Sequence, residues 1–141
     1  MDFICDINFF FIYYNLYKMN NIQKRFLLFI FGCILIRSVL VIIAQKYTDY
    51  LPIMGSVALI PAIGFLYIYF TDSRKTGNEV FGDKIWWNDL RPIHGTLYLL
   101  FAFFALNSNP NSWIILLFDV MIGLTSFIYF HYNEGNISKL F

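Results

Sequence analysis

The sequence predicts an all-α fold, an integral membrane bundle of four transmembrane helices with an additional N-terminal interfacial segment. Three observations carry that expectation. Of the 141 residues, 59% are hydrophobic and only 13% are charged, where a soluble chain carries about a quarter charged residues. The apolar residues fall into runs of about twenty, the length that crosses about 30 Å of hydrocarbon as a helix. The basic residues collect in alternate connecting segments, as cytoplasmic loops do. The balance of 10 Lys+Arg against 9 Asp+Glu excludes a basic nucleic-acid face, and the length suits one membrane domain over residues 1–141 without a separate catalytic module.

Residues 1–18 are apolar and aromatic, but Asp2 and Asp6 stand where a secretory signal needs basic residues. They read as an interfacial helix or as an over-called start, since MNNIQKRFLLFIFG from Met19 itself resembles the beginning of a membrane protein. The first span is Phe26 to Gln45, interrupted by Arg37 alone. The second, Tyr50 to Phe70, is free of charge and contains Pro52, Gly55, Pro61 and Gly64. Proline inside a membrane helix frees a backbone carbonyl, so this span is expected to kink and to pack inside the bundle. The uncharged part of the third span is too short to cross and is extended back to Trp86, giving residues 86–106 with a helix start near Asp89 and Pro92 in its first turns. Asn107 to Asn111, NSNPN, is a polar turn, and Ser112 to Tyr132 is the fourth span.

Lys18, Lys24, Arg25, Arg74, Lys75, Lys84, Arg91 and Lys139 all fall on one side of this arrangement and Lys46 alone on the other. The positive-inside rule therefore places both termini and the polar loop after the second span in the cytoplasm. Trp86 and Trp87 then lie at one interface and Trp113 at the other. The sequon Asn136-Ile137-Ser138 is expected to stay unglycosylated, because it faces the cytoplasm. Cys5 and Cys33 read as free thiols, two cysteines being too few for a zinc site or a disulfide framework.

Two sets of polar residues stand out. Arg37 and Asp119 are charges inside spans, each costing about 2.5 to 3.5 kcal/mol at a helix centre. Counting 1.5 Å per residue from the cytoplasmic edge puts them roughly 16 and 20 Å deep. This predicts an intramembrane ion pair between spans one and four, with Asp119, Gly123 and Ser126 on one small, polar helix face. The second set is a cytoplasmic-interface cluster of Asn88, Asp89, Arg91, His94 and Tyr98, joined by His131 in the same leaflet. Asn88, Arg91, His94 and Tyr98 share about a third of a helix circumference. Their chemistry suits interfacial anchoring, contact with anionic headgroups or proton transfer, but the two histidines lack metal-ligand spacing. No catalytic residue, metal or cofactor is expected.

The run Lys84 to Ala102, KIWWNDLRPIHGTLYLLFA, resembles a segment of uncharacterised small multi-pass membrane proteins encoded by large nucleocytoplasmic DNA viruses. The resemblance implies a viral protein of the virion's internal membrane or a host membrane and carries no catalytic residues with it. The expected role is structural or membrane-organising, with the lipid bilayer, further copies of the chain or other membrane proteins as partners and no nucleic acid. Two other readings stay open: a small oligomeric proton, ion or solute transporter with Arg37, Asp119, His94 and His131 along its path, and a membrane enzyme acting on lipid headgroups near His94 and His131.

Overall fold

The computed structural model describes residues 19–76 and 85–139. The expectations for the N-terminal segment 1–18 and for the loop residues 77–84 lie outside the described residues. Among the described residues every long element is helical. Three helices are long and apolar enough to cross a membrane: α1, Asn21–Lys46; α2, Leu51–Thr71, preceded by a 3-10 turn at Thr48–Tyr50; and the helix Trp113–Asn133, which becomes α4 once α3, Arg91–Leu106, is counted. Their bounds agree with the apolar runs to within a few residues.

The third span differs from its expectation. Its α-helix begins at Arg91, two residues after the expected start near Asp89, and residues 86–90 of the expected span form a turn and a 3-10 turn instead. Pro92 is the physical reason: it has no N–H to lose in a first turn, and an earlier start would require one. The result is a helix of 16 residues, about 24 Å long and shorter than the hydrocarbon layer.

The ends of the helices are chemically legible. At the start of α1 the side chain of Gln23 accepts the Asn20 N–H at 3.0 Å, satisfying one group that the helix leaves open. Asp72 closes α2 with a left-handed φ of 48°. Its carboxylate lies 2.7 Å from Lys75 Nζ and raises that ammonium's pKa through their hydrogen bond and charge. Beyond α4, Gly135 takes a φ of 63°, which lets its N–H reach the Tyr132 carbonyl and the Asn136 N–H reach that of His131. Inside α1 the segment Leu28–Leu35 is wound as a π-helix. Such winding is rare, widens the helix, and usually marks a functional position.

The core is a chain of helix pairs, α2 against α3, α3 against α4, and the C-terminal half of α1 against α4. The α2–α3 seam is built from small residues. A Cβ added at Gly55 would come within 3.0 Å of the Ala102 carbonyl oxygen, and one at Gly95 within 3.2 Å of the Ala62 carbonyl oxygen. Early α2 thus touches late α3 and the reverse, an antiparallel pairing in which Gly55, Ala58 and Ala62 let the two backbones meet. Pro61 lies within the continuous α2. The outward faces are apolar: Ile60 is 73% and Phe70 is 78% exposed.

Candidate functional site: a polar cluster beneath an apolar cavity

Arg91, His94, Asp119 and His131 are buried, and all four sit on helix stripes that face inward. On α4 that stripe runs Leu116, Asp119, Val120, Gly123, Phe127 and His131, the i, i+4 spacing of one helix face. Ser126 is half-buried beside the stripe, whose small position is Gly123. On α3 the buried face carries Arg91, His94, Gly95 and Tyr98.

The structure brings Arg37 and Asp119 together. Nη1 of Arg37 donates to Oδ2 of Asp119 at 3.0 Å, and Asp119 is 1% exposed. His94, which the sequence groups with the interface residues, joins this pair. Its Nδ1 meets Oδ1 of Asp119 in a short contact and lies 3.4 Å from Arg37 Nη1. An ionised carboxylate only accepts, so the ring presents Nδ1–H to Asp119, leaving Nε2 as the other polar edge of the imidazole. One carboxylate therefore accepts from a guanidinium and an imidazole at once. Arg37 is further held by the faces of Phe65 and Tyr98, each with its centroid 5.9 Å from Cζ.

The remaining interface residues separate. Nη1 of Arg91 donates to the Arg74 carbonyl at 3.0 Å and to Asn88 Oδ1 at 2.6 Å, which ties the end of the polar loop to the start of α3. Asp89 is exposed in the 3-10 turn and joins neither group. Nδ1 of His131 is 3.1 Å from Asn136 Nδ2, an amide N–H that can only donate. The His131 ring is packed among Phe26, Phe127, Trp86 and Phe130. His94 and His131 therefore belong to two separate hydrogen-bonded groups. Among the described residues, no group of three or more His, Cys, Asp or Glu side chains is placed to hold a metal ion.

A cavity of about 460 Å³ connects the two levels. It follows from the shortness of α3. His94 is the fourth residue of its helix yet meets Arg37, the seventeenth residue of α1. The α3 helix therefore starts about three turns further along the bundle than α1. The space over its first turn is bounded by Phe29, Gly32, Cys33 and Arg37 of α1 and by Gly123, Phe127 and His131 of α4. Trp86 and Trp87 roof it from the loop side, with Trp86 stacked on Phe130 at 4.7 Å between centroids. The unoccupied Cβ position of Gly32 meets nothing within 4 Å. The walls are mainly apolar and aromatic; His94 and Arg37 supply polar atoms at the end nearest Asp119, and Arg25, Arg91 and His131 also line the space.

Two features were not read from the sequence: the membership of His94 in the ion-pair cluster and the cavity itself. Pro92 was the available signal, because a helix starting beside it carries His94 down to the depth of Arg37. No family model, curated protein or solved structure matches the chain.

Proposed function

We propose that the chain is a four-helix integral membrane protein with a structural, membrane-organising role, its termini on the cytoplasmic side. One observation carries this reading, the inverted distribution of side chains. Arg91, His94, Asp119 and His131 are buried, whereas the outer faces present Ile53, Ile60, Ile63, Phe70, Phe103 and Phe118. Water would favour the reverse. The exposed hydroxyls fit the same environment: Ser56, Thr96 and Thr125 each donate to the carbonyl four residues earlier in their own helix. A hydroxyl facing lipid has no water to bond and uses its own backbone.

In this reading α3 is the fourth membrane helix, reaching the cytoplasmic interface through the segment 85–90 rather than by its own length. The distribution of basic residues supports the orientation. The apolar outer faces suit lateral association with further copies of the chain or with other membrane proteins. The resemblance of residues 84–102 to small viral membrane proteins is the one support for a virion or host membrane as the location. Alkaline carbonate extraction tests the reading. The protein is expected to remain in the membrane pellet, and recovery in the supernatant would overturn it. In sealed cells, Asn109→Cys in the turn between α3 and α4 is expected to react with a membrane-impermeant maleimide, and Lys139→Cys is not.

A further inference from the structure

We infer that the cavity over α3 is a binding site for a single-chain amphiphile with a carboxylic acid head, which sits between Arg37 and His94. The inference rests on the membrane reading, since the bilayer supplies such a ligand. It starts from polar atoms that the protein leaves unused. Nδ1 of His94 is committed to Asp119, but Nε2 has no hydrogen-bond partner among the described residues, although the residue is only 6% exposed. Arg37 spends Nη1 on Asp119. Its Nη2 and Nε have no partner among the described residues, although four-fifths of the side chain is covered. Both residues line the cavity.

A neutral imidazole whose Nδ1 holds the proton accepts at Nε2, and a guanidinium only donates. The end of the cavity nearest Asp119 thus offers an acceptor beside donors. A carboxylic acid is the complement: its O–H donates to His94 Nε2 and its carbonyl oxygen accepts from Arg37. Charge fits the same class. Arg37 and Asp119 cancel beside the head, so a neutral acid adds no charge there, and Arg25 and Arg91, which also line the cavity, favour a head group that can give up its proton. If the acid's O–H bond breaks and an Nε2–H bond forms, the carboxylate and imidazolium still sum to zero, and Asp119 stabilises the imidazolium from the other side. An ester, which has no O–H, satisfies only the donors.

The rest of the cavity fits one apolar chain. Phe29, Phe65 and Phe127 furnish apolar wall, and the volume of about 460 Å³ lies in the ordinary range for small-ligand sites. The π-helical segment of α1 forms one side, and exposed Leu28, Gly32 and Cys33 leave that side open to lipid. The winding of α1 and the unused nitrogens are independent observations that meet at one place.

The test uses the full chain in nanodiscs on a Trp113→Phe background, with quenching of Trp86 and Trp87 by 9,10-dibromostearic acid as the signal. Saturable quenching is expected from the acid, with no saturable component from its methyl ester. His94→Asn keeps an amide N–H at the Nδ1 position toward Asp119 and leaves no atom at the Nε2 position, and is expected to weaken the acid about tenfold or more, the worth of one charge-assisted hydrogen bond. Gly32→Phe fills open space at a position where an added Cβ meets nothing within 4 Å, and is expected to abolish saturation while leaving the far-UV circular dichroism unchanged. Equal quenching by the ester, saturable quenching by phospholipid with brominated chains, or unaltered binding in Gly32→Phe would each overturn the inference. Carbonate extraction of the same proteins separates the two readings: a pelleted protein that binds no acid defeats only the site.

Discussion

The seam between α2 and α3 and the groove between α1 and α4 are made from similar residues to opposite ends. Both contain glycines and aromatic side chains inside one bundle. At the seam, Gly55 and Gly95 stand where an added methyl would strike the neighbouring backbone. In the groove, Gly32 stands where an added methyl would touch nothing, and Gly123 where it would make only ordinary contact, 3.6 Å from His94 Cε1. The seam is closely packed, while the groove is left open by a π-wound helix and a short α3 and is bridged by a three-residue polar cluster. In the membrane reading proposed above, a bundle gains little from the hydrophobic effect between helices. Close backbone approach fastens one half of this one, and electrostatics fastens the other.

The largest effect should come from removing the electrostatic fastening. Asp119→Ala leaves both the Arg37 guanidinium and the His94 imidazole without their shared acceptor. Breaking a buried pair from one side costs about 3 to 5 kcal/mol, and somewhat less if the denatured state in detergent finds partners. Unfolding in mixed micelles by SDS titration should show the midpoint falling sharply. The combined change Arg37→Met with Asp119→Leu removes both charges together and should recover much of the loss. An Asp119→Ala midpoint no lower than that of the parent protein would mean that the polar cluster is not what joins α1 to α4.

The seam should break next. Gly55→Ala puts a methyl 3.0 Å from the Ala102 carbonyl oxygen and 3.1 Å from the Leu106 nitrogen. Backbone cannot rotate aside as a side chain does, so α2 and α3 must separate, at about 1 to 3 kcal/mol for such overpacking. The SDS midpoint should fall by an amount smaller than for Asp119→Ala. No fall would mean that the seam is loose in the bilayer.

The two halves also differ in how far the sequence disclosed them. Long apolar runs and basic-residue asymmetry are one-dimensional signals, and the three long helices end within a few residues of where those signals place them. The approach of Arg37 to Asp119 was legible because two costly charges at matched depth have few other partners. The placement of His94 was not. It depends on α3 starting five residues later than the apolar run needs in order to span, and that start depends on Pro92 and on segment 85–90 covering the gap, with Ile85 buried and Trp86 against Phe130. The π-winding of α1 left no trace in hydropathy, since it changes the hydrogen-bond register without changing the apolar content. Gly55 and Gly95 were visible as glycines, but only the packed backbone separates them from Gly32.

Gly32→Ala gives the smallest and most discriminating effect. It is the same substitution as Gly55→Ala, again within a membrane helix, but with no atom within 4 Å of the new methyl. Glycine is less favourable than alanine inside a helix by about 1 kcal/mol, so with no contact to oppose it the change should leave stability unaltered or raise it by up to that amount. An SDS midpoint equal to or above that of the parent protein would show that the groove stays open in the bilayer. A fall like that of Gly55→Ala would mean that α1 closes onto α3 and α4 when lipid surrounds the bundle, and would remove the space in which an amphiphile is to sit.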